Sequence, residues 1–218
     1  MLIVCWSWKG GVGTSVSVAG SALAAAPSGC LIVDLAGDQA AVFGLPESAG
    51  PDLAGWLDAA HAPVDGLPRL ERAVTDGLAL VTGPIGHGMP GERLRLLAEV
   101  LSADSRRVIV DAGRLESEGP VPPLVQALMD RADQALLVTR ACYLALRRSV
   151  GGRPRPTGVI LGVEPGRALG TDDVAASVGA PVVARVAIEP AVARAVDAGL
   201  LSSRPPRSLV KALKGVVE

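Results

Sequence analysis

Aromatic side chains are nearly missing from this chain, with three Trp, one Tyr and one Phe in 218 residues. A basic face without interleaved rings has little means of stacking nucleic-acid bases. Histidine occurs only as His61 and His87, and neither has a matching acid or thiol cluster beside it in sequence. That argues against a histidine metal site or a nucleophilic triad, and no G-x-S-x-G elbow occurs. The three cysteines, Cys5, Cys30 and Cys142, are odd in number and far apart, and each lies in or beside an apolar run. No disulfide framework and no C-x-x-C zinc spacing can be built from them, so buried thiols in a reducing cytosol are expected. Lysine is also scarce: only Lys9, Lys211 and Lys214 among 21 basic residues. Against so much arginine, each lysine is worth a question. No stretch approaches the roughly 18 uncharged apolar residues that span a membrane. The opening MLIVCW precedes its first charge, the reverse of a secretory signal. A cytoplasmic chain is expected, with peripheral membrane contact as the alternative.

What the sequence does hold is apolar surface. Hydrophobic residues make up 49%, charged residues 20%, and the net charge is −1 with a mean hydropathy of +0.39. A disordered chain and a strongly basic histone-type binder are both excluded. The length suits one domain over 1–218. Short runs rich in Val, Ile and Leu predict strands at 2–6, 30–34, 78–81, 107–111, 134–139, 158–161 and 182–186. They do not alternate with polar residues, as expected of parallel strands covered on both faces. Between them, helices are predicted at 14–26, 52–61, 91–102, 121–130, 143–150, 171–178, 190–198 and 207–217. This alternation predicts an α/β fold: a doubly wound, mostly parallel sheet with helices on both faces. Residues 27–90 are the least regular and could be read as a linker, but the strand at 78–81 favours a return to the same sheet.

The sharpest feature is Ser7-Trp8-Lys9-Gly10-Gly11-Val12-Gly13-Thr14-Ser15, which follows a strand and opens a helix. Glycines let several main-chain N–H groups turn toward one anion, and the helix adds its N-terminal dipole at the same spot. Lys9, Gly10, Gly11, Val12, Gly13, Thr14 and Ser15 are therefore the candidate nucleotide-binding residues, with Ser15 where a P-loop hydroxyl holds Mg²⁺. KGGVGTS resembles the deviant Walker A box, KGGxGK[ST], of the ParA/MinD superfamily of P-loop ATPases. LIVDLAGDQ, RRVIVDAG and ADQALLVTR agree with that family in order and spacing. The resemblance implies ATP and Mg²⁺ as ligands, with Asp34 and Asp111 near the metal. It implies Lys9, Asp38 and Asp111 as the catalytic set and a face-to-face homodimer in which Lys9 reaches the partner's phosphates.

The pattern also breaks. Thr14 stands where the family has its second lysine, and Trp8 takes the first position of the box, usually Gly. Ala36 replaces the aspartate that helps position water; Asp38 is the nearest carboxylate, and an ordinary turn residue is its other reading. VILGVEPG lacks the asparagine that contacts adenine, which leaves adenine against guanine open. Such degeneracy resembles the TadZ branch, which helps to localise type IVb pilus machinery. The resemblance implies a nucleotide-dependent positioning or partitioning protein with weak ATP binding and slow or absent hydrolysis. The alternative is a nucleotide-free pseudo-ATPase scaffold, a constitutive dimer in localising a pilus, secretion or cell-division complex.

Charge is unevenly placed, at −4 over residues 1–109 and +3 over 110–218. Arg140, Arg147, Arg148, Arg153 and Arg155 occur with no acid between them. Non-specific DNA or an anionic membrane is the less favoured partner for such a face, and a solvated surface the favoured reading. In the tail, Leu209, Val210, Leu213, Val216 and Val217 recur at helical spacing. A membrane-touching tail and a helix docked on the sheet share this pattern, and docking is preferred.

Overall fold

A computed structural model describes residues 1–46, 50–59, 63–83 and 91–218. The expectations resting on His61 and His87 lie outside these residues. Each predicted apolar run becomes a strand: β1 (Leu2–Ser7), β2 (Cys30–Asp34), β4 (Leu78–Thr82), β5 (Arg107–Arg114), β6 (Gln134–Arg140), β7 (Gly158–Val163) and β8 (Val182–Ala187). The sequence reading missed β3 (Arg72–Thr75), which pairs antiparallel with β4. It is half exposed and carries no continuous apolar run. The available signal was the turn at Asp76-Gly77, where Gly77 has a φ of 72°. All eight strands form one sheet in the order β3-β4-β2-β5-β1-β6-β7-β8, parallel except at β3. Within the segment 27–90, β2, β3 and β4 thus belong to the same sheet as β1.

Nine α-helices lie among the described residues: α1 (Thr14–Ala25), α2 (Gln39–Val42), α3 (Leu53–Asp58), α4 (Gly91–Ser102), α5 (Pro123–Met129), α6 (Tyr143–Ser149), α7 (Thr171–Val178), α8 (Pro190–Asp197) and α9 (Arg207–Leu213). The predicted bounds of α4 and α7 agree with these. At the start of α7, Asp173 accepts the Gly170 N–H at 2.7 Å, as acids in a first helical turn do. The one-turn α2 was not predicted; four residues are too few for a helical period to show.

Because strand side chains alternate, odd and even positions of β1 enter different cores. Leu2, Val4, Trp6 and Trp8 join α3, α4, α5, α6 and α7 on one face, while Ile3 and Cys5 join α1, α2, α8 and α9 on the other. The same parity on β2 and β5 sends Cys30, Ile32 and Ile109 to the α1 face. Asp34, the last residue of β2, and Asp111, within β5, share that parity and are paired in register.

The tail docks. Leu209, Leu213, Val216 and Val217 are buried, and α9 lies so close to α1 that a Cβ on Gly20 would sit 2.6 Å from Leu213. The apolar stripe that a membrane tail would need is therefore already covered. Cys5 and Cys30 are buried as expected; burial pushes the Cys30 thiol up to about 12 and Cys5 higher still. Among the described residues, no helix is long and apolar enough to cross a membrane and no His, Cys, Asp and Glu cluster could hold a metal ion.

Candidate functional site

β1 lies between β5 and β6, and its connection to α1 leaves the carboxyl end of the sheet, the crevice where open α/β sheets bind ligands. The loop is glycine-rich because its backbone requires it: φ is 73° at Gly11 and 97° at Gly13, which serves as the N-cap of α1. A Cβ placed on either glycine would find no atom within 4 Å. At these two glycines the backbone faces open space. Trp8 does not plug it, because its parity sends the ring to the opposite core. There Trp8 stands edge-on to Trp6 at 6.3 Å, and its indole N–H donates to the Arg153 carbonyl at 3.4 Å. Lys9 is half buried, with its Nζ 3.4 Å from the Gly10 carbonyl oxygen. Thr14 is buried as the first residue of α1.

The acidic residues divide into two kinds. Asp34 is fully buried and holds the next loop through three main-chain bonds. Its Oδ1 accepts from the N–H of Ala36 at 3.0 Å and of Gly37 at 2.8 Å, and its Oδ2 accepts from Gln39 at 2.9 Å. Both oxygens of Asp34 are thus engaged in shaping the chain after β2. Asp111, equally buried, accepts the Gly113 N–H at 3.0 Å, and burial raises its carboxyl while the nearby Ser15 side chain acts in the opposite direction. Asp38 is exposed at the N-cap of α2 without a capping bond, and its charge pushes the Asp111 carboxyl up slightly. Ala36 lies against Gly113, where a Cβ would come within 3.0 Å of the Ala36 methyl.

Sequence reasoning missed Gln39. Its fully buried carboxamide donates to Asp111 Oδ2 at 2.7 Å and to the Ser15 carbonyl at 3.0 Å, tying β2's exit loop to α1 and β5. Its Oε1 is buried with no hydrogen-bond partner. The connection Gln39 makes is long-range, and nothing in the local sequence announces it.

Burial pushes both Asp34 and Asp111 above the usual carboxylate range, and hydrogen bonds to each act in the opposite direction. The native chain therefore holds more protons than the unfolded chain between the ordinary and the raised values. The stability this linkage gives is fully present below the unfolded value and is lost as pH rises through the folded one. Wild-type protein should accordingly gain stability relative to Asp111→Asn as pH falls from neutrality toward the usual carboxylate range. Urea midpoints across that range check this, and a flat or shrinking difference contradicts it.

Beside the loop, Val12, Gly13, Val16, Gly162, Val186 and Val192 line an apolar slot of about 210 Å³. It is smaller than the roughly 300–1,000 Å³ pockets that take whole drug-sized ligands, and closer to the scale of one ring system. Arg140 also lines it, held by Glu164 at 3.0 Å. The arginine-rich segment is thus not a uniform solvated face: Arg140 is paired with an acid, and Arg148 donates to the Trp8 carbonyl at 3.1 Å.

A strand, an open glycine loop and a helix at the switch point, with a buried carboxylate on the neighbouring strand, define a P-loop type of α/β architecture. Comparison with known structures narrows this to one group. The chain is similar to a ParA family ATPase from Chlorobium tepidum TLS at 20% identity and a TM-score of 0.78, covering 99% of this chain and 98% of that one. It is similar to the MinD cell division protein of Aquifex aeolicus at 19% identity and a TM-score of 0.77, covering 99% and 94%. A third likeness is the septum site-determining protein MinD complexed with Mg-ADP from Pyrococcus horikoshii OT3, at 15% identity and a TM-score of 0.73, covering 99% and 93%. The chain has the ParA/MinD ATPase fold. No known family profile matches the sequence, and no curated protein does.

Proposed function

We propose that this chain is a nucleotide-dependent positioning protein of ParA/MinD type that binds ATP weakly and hydrolyses it slowly or not at all. The observation that carries this reading is the open glycine loop ahead of α1, with empty space around Gly11 and Gly13. Main-chain amides of residues 10–15 and the α1 dipole attract the phosphates, and the slot beside Val12 and Val192 takes the base. Ser15 and Asp111 would hold Mg²⁺, whose charge favours the phosphate oxygens when it is bound. Gln39 fixes the Asp111 carboxylate, and its leftover Oε1 is a further acceptor in the same network. Asp34 acts one step back by shaping the loop 35–39.

Hydrolysis is slow in this reading because two groups that stabilise and position are replaced. Thr14 offers no ammonium to the phosphates, and Ala36 offers no carboxylate to an attacking water. Phosphoryl transfer depends almost entirely on such positioning and charge. In this reading Asp38 is the exposed carboxylate nearest Asp111, and Lys9, the remaining cation of the loop, reaches a second copy across a face-to-face dimer. Localising pilus or secretion machinery, as in the TadZ-like branch, is the role such a weakly hydrolysing switch fits.

Titration calorimetry with ATP and Mg²⁺, paired with a phosphate-release assay, tests this. Saturable heat with turnover well below about 1 s⁻¹ is expected. Turnover at or above that rate, lost on Lys9→Ala, would overturn the weak-ATPase reading. No heat at millimolar nucleotide would leave a scaffold that keeps the fold alone.

A further inference from the structure

The slot beside the glycine loop carries charged groups that its apolar walls do not explain. Arg140, the last residue of β6, lies level with Gly162 of β7. A Cβ on Gly162 would stand 3.4 Å from Arg140 Cγ and 3.5 Å from Ile188 Cδ1. A larger residue at 162 would therefore crowd the arginine stem, and the glycine leaves it room along the slot. Arg140 Nη1 donates to Glu164 at 3.0 Å, and Glu164 also pairs with Arg167, so the guanidinium is anchored through one nitrogen. Its Nε is buried and has no hydrogen-bond partner. A buried donor is costly to leave unpaired, and an arginine can only donate. Glu189 and Asp197 also line the slot and supply carboxylate acceptors. Glu189 already accepts the Ser208 hydroxyl at 2.8 Å.

This arrangement of donors and acceptors discriminates between purines. Guanine presents O6 and N7 side by side, two acceptors that match the donor-only fork of an arginine. Adenine presents N7 beside a 6-amino donor, so one arm of the same fork would face a donor. Guanine's N1–H and 2-amino group are donors suited to carboxylates, whereas adenine has an acceptor at N1 and a C–H at position 2. An asparagine, whose amide both donates and accepts, pairs adenine at N6 and N7. None occurs in β7, which reads GVILGV. We propose that the slot selects guanine, with Arg140 reading the O6 and N7 edge, so that the chain prefers guanosine to adenosine triphosphate. The proposal rests on the nucleotide-binding reading above and adds the identity of the base. Weak ATP binding then has two causes: Thr14 in place of an ammonium at the phosphates, and a mismatched base edge in the slot. A site built around buried donors rejects an analogue that leaves them unpaired more strongly than one built on shape alone.

Titration calorimetry of the full chain with Mg²⁺ and, in turn, GTP, inosine triphosphate and ATP tests this. Inosine keeps O6, N7 and N1–H and lacks only the 2-amino group, so it isolates the edge that meets Arg140. GTP is expected to bind about tenfold or more tighter than ATP, with inosine triphosphate nearer to GTP than to ATP. Arg140→Met keeps a long apolar stem without the donors and should erase the difference between GTP and ATP. Circular dichroism keeps a folding defect of that variant apart from a lost preference, and the inosine comparison needs no variant. ATP binding as tightly as GTP, inosine triphosphate behaving like ATP, or a preference that survives Arg140→Met would overturn the proposal and leave the nucleotide-binding reading standing. No heat from any of the three at millimolar concentration would overturn that reading itself, and the base preference with it.

Discussion

Thr14→Lys should tighten ATP–Mg²⁺ binding by roughly ten- to a hundredfold. A charge-assisted hydrogen bond contributes about 1.5–3 kcal/mol, and each 1.4 kcal/mol is a factor of ten. In the proposed reading the substitution restores an ammonium to a loop whose main-chain amides face an anion. Gly13 ends the loop with φ at 97°, and the space about Gly11 and Gly13 is open. Trp8, the one bulky departure in the loop, is packed into the opposite core and leaves that space free. Calorimetric affinities of wild type and variant decide the matter. An unchanged affinity would mean that the amides do not face a phosphate, and the loop would be a turn without a ligand.

Asp34→Ala should destabilise the fold by about 3–5 kcal/mol, the largest stability effect expected of any single change at the site. Three main-chain N–H groups, at 36, 37 and 39, lose their acceptor, and leaving such groups unpaired costs about 1–3 kcal/mol each. Part of that total is offset because Asp34 itself is costly to keep ionised when buried. The damage should also reach Asp111, because Gln39 is held by Asp34 at one end and holds Asp111 at the other. Asp34→Asn should cost less, since one acceptor oxygen remains. Urea unfolding with an unchanged slope is the check. A loss below about 1 kcal/mol would show that the loop keeps its shape without the carboxylate.

Much of this was readable from residue order alone. Parallel strands buried on both faces announce themselves as unbroken Val, Ile and Leu, and for that reason the β1, β2 and β5 to β7 runs were visible. The half-exposed β3 lacks such a run, and its pairing is set by the turn at Asp76-Gly77 and by contact with β4. The glycine loop was legible because its backbone demands residues without a Cβ. The roles of the acids were less so. Asp34 and Asp111 look alike as strand-end carboxylates, and only the hydrogen bonds separate a residue that shapes a loop from one that stands by a serine hydroxyl. Gln39 was invisible because its partners lie 24 and 72 residues away. Trp8 read in sequence as a departure at the first position of the box, and strand parity, continued one residue past β1, turns it to the other side of the sheet.

Amide resonances of a ¹⁵N-labelled sample, followed while ATP and Mg²⁺ are added, examine the anion site itself rather than its consequences. The amides of Gly10, Gly11, Val12, Gly13, Thr14 and Ser15 should move together and saturate, with smaller shifts at Val192 and Gly162 around the slot. If those six amides stay in place at millimolar nucleotide while the fold remains intact, the main chain ahead of α1 does not receive phosphate and the proposed switch is contradicted.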